Sequence, residues 1–125
     1  MSEIKYHIRF DEVTPYHPAN HTGTSNRRLI GLETGSKRIE MLHGTIEPGQ
    51  GALPHSHPRI DQVCYLLEGR AHVEVGGQAF EMVSGDSCFF PAGEKHLLKV
   101  LGTEPVKVLV VYTPPYGENP AEVVR

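Results

Sequence analysis

Thirteen glycines and ten prolines punctuate this 125-residue chain, and the pieces between them are too short for a helix-built fold. Both residues end helices and mark turns. What lies between them reads at the period of a strand. In Arg70–Val75, Ala71, Val73 and Val75 share one face while His72 and Glu74 share the other, the alternation of a half-buried strand. Gly76-Gly77 then supplies a two-residue hairpin turn, and 78–83 returns. Further strands are expected at 38–46, 62–67, 87–90, 96–101 and 106–112. Ile4, Tyr6, Ile8 and Phe10 alternate in the same way and predict a strand at the N-terminus. Residues 11–36 read as irregular, and the tail from Pro114 shows little periodicity. No amphipathic helix stands out. Short strands at this spacing indicate an all-β sandwich or barrel.

The length fits one domain, in which roughly two-thirds of the unfolded surface is buried, enough for one core. The expected organisation is a single domain over 1–125. An N-terminal strand and irregular arm occupy 1–37, a barrel 38–112, and a tail 113–125. The formal charge of −3, with no basic run, argues against a nucleic-acid partner. The opening MSEIKYHIRF has no apolar signal core, and no apolar run has the length of a membrane span. Cys64 and Cys88 are too few for a disulfide framework. They read as reduced thiols of a cytoplasmic protein.

Eight histidines are many for this length. His55 and His57 lie two apart, so in extended chain they project together. Pro54 and Pro58 bias the segment that way. His96 opens a later strand just after a turn. Three imidazoles converging inside a barrel would hold a divalent transition metal, and they suit several ions. A lone His-x-His in a histidine-rich chain also arises by chance, so the pair does not decide the matter alone.

The wider pattern says more. Residues 49–69 run Gly-x5-His-x-His-x4-Gln-x6-Gly, and residues 85–96 run Gly-x5-Pro-x-Gly-x2-His. This closely resembles the two signature motifs of the cupin family over about residues 38–112. The usual final Asn of the second motif falls on Val100, a departure. The resemblance implies a double-stranded β-helix, a jelly-roll barrel with a metal held inside. The ligands it implies are His55, His57, Gln62 and His96, and the ion is zinc, nickel, iron or manganese. Asp61 is a rival for the fourth position, where the family usually has Glu. Gly69 follows Gln62, not Asp61, by the family's six-residue spacing. Along the next strand Gln62, Cys64 and Leu66 share a face from which Asp61 points away.

An amide in that position cancels none of the metal's charge. The ion would act as a stronger Lewis acid and attract an anionic oxygen ligand. Three histidines and a glutamine also resemble the small cupins of pectin and alginate breakdown, which act on unsaturated uronates. The expected function is therefore a metal-dependent isomerase or lyase acting on a small oxygenated anion, a sugar acid or keto acid. Alternatives are an iron-dependent dioxygenase and a non-catalytic sugar- or effector-binding barrel with a structural metal.

Arg27 and Tyr112 are the candidate catalytic residues. Arg27 and its neighbour Arg28 sit in a long irregular segment of the kind that often carries function; the other reading is solvated surface. Tyr112 and Tyr116 are either acid/base groups near the mouth or packing residues. His17 and His21 read as loop histidines, Cys64 as a small buried apolar group, and Phe89 and Phe90 as core. A homodimer is expected, with the strand over Ile4–Phe10 adding to, or packing on, the partner's sheet.

Overall fold

The structure, a computed structural model, describes residues 3–125. Nine strands form two antiparallel sheets: β1 (Thr24–Ile30), β2 (Glu40–Ile46), β3 (Gly51–His55), β4 (Asp61–Glu68), β5 (Arg70–Val75), β6 (Gln78–Val83), β7 (Ser87–Phe90), β8 (His96–Leu101) and β9 (Val106–Thr113). One sheet has the order β1-β2-β9-β4-β7 and the other β3-β8-β5-β6. This is the jelly-roll double-stranded β-helix. Among the described residues no helix is long and apolar enough to cross a membrane.

The two sheets close over one core. Leu42, Leu66, Val73, Val100 and Val106 are almost wholly buried, each contributing about 1.5–3 kcal/mol of burial. They come from both sheets, so neither folds without the other. Turn chemistry sets the register. Gly76 and Gly77 have φ of 57° and 77°, the positive values that a two-residue hairpin needs. Gly69, between β4 and β5, has φ of 95°. A Cβ there would also lie 2.9 Å from the Pro105 carbonyl oxygen.

Two departures from the sequence reading stand out. Residues 3–9 join no ladder. The alternation of Ile4, Tyr6, Ile8 and Phe10 is real, but no sheet of this chain covers it, and Tyr6 is 90% exposed. The segment is tied down where Lys5 N–H donates to the Thr34 carbonyl at 3.0 Å. Conversely, the stretch read as irregular contains β1. Its buried face is Thr24 and Asn26, with Arg28 part-buried beyond them, so a hydrophobic alternation never appears.

Candidate metal centre

The site is built from two facing rungs, one on each sheet. In the four-stranded sheet His55 on β3 lies directly opposite His96 on β8. In the five-stranded sheet one rung runs Glu40, Tyr112, Gln62, Phe90 across β2, β9, β4 and β7. All four of these side chains are buried. His57 follows His55 by two residues, just past the end of β3, and its ring centroid is 4.9 Å from that of His55. One potential ligand nitrogen from each of His55, His57 and His96 lies within 4.8 Å of the others.

Backbone carbonyls fix which nitrogen each ring offers. His55 Nδ1 bonds the Leu53 carbonyl at 2.7 Å, His57 Nδ1 the Glu122 carbonyl at 3.0 Å, and His96 Nδ1 the Glu94 carbonyl at 3.1 Å. A carbonyl only accepts, so each Nδ1 carries the proton and donates. Each Nε2 is then a free lone pair, the outer-shell arrangement that orients histidine ligands. Burial pushes all three imidazoles toward the neutral form, His96 furthest, to about 3. The rings are thus ready to ligate at neutral pH without first losing a proton.

Gln62 is 8% exposed and faces the same space. Its Oε1, with the Nε2 atoms of His57 and His96, is buried without a hydrogen-bond partner. Buried polar atoms without partners are rare and costly. Three clustered imidazole nitrogens with an unpartnered amide oxygen on the same cavity fit a divalent cation. Asp61 is exposed, and its Oδ1 accepts from Ala92 N–H at 2.9 Å, away from the histidines.

Phe90 lies flat against His96, with centroids 4.1 Å apart and planes 6° apart. Tyr112 stands edge-on to His57, centroids 5.6 Å apart. Its phenol is wholly buried, which holds its pKa well above the ordinary tyrosine value. The cavity beside these groups is small, about 50 Å³, and no carboxylate, lysine or arginine lines it. Its polar wall is His21, Thr24, Asn26, Gln62 and Tyr112.

The C-terminal tail completes the site. Ser56 and Val124 exchange two backbone hydrogen bonds, each of 2.8 Å, and Arg59 pairs with Glu122. This brings the Glu122 carbonyl to His57 and the Tyr116 ring to 4.5 Å from the His57 ring.

The remaining candidates fall elsewhere. Arg27 points out of the barrel, where it donates to the Phe10 carbonyl at 3.1 Å and stacks over the Phe10 ring. Neighbouring strand residues face opposite ways, so Arg28 turns inward instead. Its Nε lies 3.3 Å from Oε2 of Glu40, a carboxylate only 1% exposed. Glu40 Oε1 also accepts from Gly117 N–H at 2.8 Å. His17 donates to the Thr24 carbonyl at the surface. Cys64 is buried and lines the cavity.

Sequence reasoning read His21 only as a loop histidine and passed over Thr24, Asn26 and Glu40. His21 Nδ1 donates to the Ala19 carbonyl at 2.8 Å, and its ring lies 5.4 Å from that of His55. Burial lowers its pKa to about 4. The signal for Asn26 was the glycine opposite it. Asn26 pairs with Gly44, where a Cβ would come within 2.6 Å of the Asn26 Oδ1.

Comparison with known proteins agrees with this geometry. The Cupin domain family profile matches residues 42–112. An uncharacterised protein of Methanocaldococcus jannaschii is 26% identical, over 93% of this chain and 92% of its own length. The structure of KdgF from a Halomonas species superposes with a TM-score of 0.76 over 89% of this chain and 96% of its own, at 20% identity. A sugar phosphate isomerase of the cupin superfamily from Silicibacter pomeroyi superposes with a TM-score of 0.73 at 27% identity, over 86% of this chain and 74% of its own. With two facing sheets, three convergent histidines and a family match over more than half its length, the chain belongs to the cupin family.

Proposed function

We propose that this cupin is a metal-dependent enzyme of the isomerase or lyase type, acting on a small oxygenated anion such as a sugar acid or keto acid. The observation that carries the reading is the neutrality of the pocket. His55, His57, His96 and Gln62 would hold an ion through uncharged donors, and no charged side chain lines the cavity. The one buried carboxylate of the adjoining rung, Glu40, is already paired with Arg28. A bound divalent ion would supply Lewis-acid stabilisation of a developing oxyanion. The charge left uncompensated favours an anionic substrate, and the small cavity admits only its oxygen-bearing end.

The chain's own residues supply the rest. Tyr112 keeps its proton well past neutral pH, which suits it to donate a hydrogen bond to a developing oxyanion. His21, with Nδ1 committed to Ala19, presents Nε2 as an acceptor at the cavity wall. Thr24 and Asn26 offer polar contacts to substrate hydroxyls. Leu42, Ile46 and Val110 exclude water behind them. The isomerase activity named for the Silicibacter pomeroyi relative is in keeping with this chemistry.

The test is a panel of unsaturated uronates, sugar acids and 2-keto acids followed by NMR, with protein purified without a histidine tag and assayed for metal. Turnover that is lost on chelation and proceeds without oxygen supports the reading. Oxygen uptake in step with substrate loss replaces it with the dioxygenase. Binding without turnover replaces it with the ligand-binding barrel.

We infer further that the chain forms a homodimer through the outer face of the five-stranded sheet. Two neighbouring outward rungs, Met41–Val111–Val63–Phe89 and His43–Leu109–Tyr65–Ser87, make a largely apolar surface across four strands. Val63, Tyr65 and Phe89 are exposed on it, and contiguous exposed apolar area marks an interaction surface. Light scattering on Val63→Glu/Phe89→Glu is expected to give monomer where the wild type gives dimer. A wild-type monomer, or an unchanged dimer in the variant, overturns this surface.

A further inference from the structure

The geometry points to a second reactive site beside the cavity: Cys64 and Cys88 form a dithiol that peroxide converts to an intrachain disulfide within the folded barrel. The two residues are direct partners in the antiparallel ladder between β4 and β7. Partners in such a ladder project to the same face and have Cα atoms roughly 4.5 or 5.5 Å apart. Both spacings lie within the range of roughly 4.4–6.8 Å that a disulfide spans. No strand has to move for the bond to form.

The surroundings give the pair an order of reaction. β7 is the edge strand of its sheet, and Cys88 is only half-buried while Cys64 is 2% exposed. Peroxide therefore meets Cys88 first. The Cys88 sulfur attacks the O–O bond, which breaks to leave a sulfenic acid on Cys88 and release one water. The Cys64 sulfur then attacks the Cys88 sulfur. The S–S bond forms, the S–O bond breaks, and the hydroxyl leaves with the Cys64 proton as a second water. Two thiols are oxidised by two electrons and one peroxide is reduced to two waters. Cys64 is well placed as the resolving thiol because it is held opposite Cys88 and shielded from oxidant itself.

The bond would tie the edge strand to its neighbour two ladder pairs from Gln62 and Phe90, which are themselves ladder partners. The inference does not depend on the metal reading, and its test uses metal-free protein. Chelator-treated protein is exposed to equimolar hydrogen peroxide, then alkylated under denaturing conditions and analysed by intact mass and non-reducing peptide mapping. Loss of both alkylatable thiols, a chain lighter by two hydrogens and a Cys64–Cys88 linked peptide are expected, all reversed by a dithiol reductant. Cys64→Ala should instead accumulate a Cys88 sulfenic acid that dimedone traps. Cys88→Ala should leave Cys64 reduced at the same peroxide dose. Oxygen added to Cys88 in the wild type while Cys64 stays alkylatable overturns the proposal. A disulfide found only between chains also overturns it.

Discussion

Phe90 lies parallel to His96 at 4.1 Å, and it is also the ladder partner of Gln62. One apolar ring therefore touches a candidate ligand from the opposite sheet and stands beside another on its own. Phe90→Ala removes the surface that holds the His96 ring. Metal affinity is expected to fall about 10–100-fold, the usual cost of losing an outer-shell contact, with the barrel still folded. Competition with a chromogenic chelator measures it. Unchanged affinity would show that the Glu94 carbonyl alone orients His96.

The ligand set is separable by four substitutions under one dialysis condition. His57→Ala and Gln62→Ala are expected to lose metal, while Asp61→Ala keeps it. Gln62→Glu should tighten retention, because a carboxylate adds charge to the donor set, yet lower turnover of an anionic substrate. Metal per chain is the readout. Loss in Asp61→Ala with retention in Gln62→Ala would move the fourth ligand by one residue.

Glu40 and Arg28 form a buried pair beneath the site. Glu40→Ala leaves the part-buried guanidinium with only the exposed Glu33 as partner and also frees the Gly117 N–H. The expected loss is about 1–3 kcal/mol, read as a lowered urea midpoint. The double variant Arg28→Met/Glu40→Leu should recover much of it, since an apolar pair leaves no charge uncompensated.

Alkaline pH offers a test of core burial. Burial raises the pKa of Tyr16 and of Tyr116 to about 12 each, and holds that of Tyr112 well above the ordinary tyrosine value. In the unfolded chain tyrosine ionises near pH 10, roughly. Between those values the unfolded state binds fewer protons than the folded one, so stability falls as pH rises. The contribution is fully present below pH 10, roughly, and is lost through about 12. Tyrosinate absorbance should show these three groups ionising late, together with unfolding. Early, reversible ionisation of all tyrosines would contradict the burial.

The tail sets the His57 tautomer through the Glu122 carbonyl. Ending the chain after Glu118 removes that acceptor while leaving the Gly117 contact to Glu40. ¹⁵N NMR should then show His57 as a mixture of neutral tautomers, with the His55 and His96 tautomers unchanged. Weaker metal binding should follow. A single His57 tautomer in the truncated chain would mean that another group holds the ring.

Much of the centre was legible in sequence because strand periodicity is strict. The spacing of His55 and His57, the turn before His96 and the glycine after Gln62 each constrain a direction, and the structure clusters the three histidines, with His55, His96 and Gln62 lining one cavity. What escaped the sequence was polar and inward-facing. β1 buries Thr24 and Asn26 and turns Arg28 inward because it borders a polar cavity and faces a buried carboxylate. It therefore lacked the apolar alternation by which strands are recognised. Arg27 stood out as a charge, yet its neighbour is the one that turns inward. Ile4–Phe10 showed the converse: clean alternation that, among the described residues, no strand pairs with, Phe10 alone packing on Arg27 and His43.

The bond from His57 to Glu122 joins residues 65 apart in sequence. Closing a loop of that length carries an entropic cost before any contact offsets it, so this bond belongs to the late stages of folding. Ribosomal synthesis reinforces the order, since Glu122 emerges long after His57. An emerging chain therefore displays His57 with its tautomer unsettled, whereas His55 has its carbonyl partner two residues away. Whatever chemistry depends on the His57 tautomer begins only once the tail has docked.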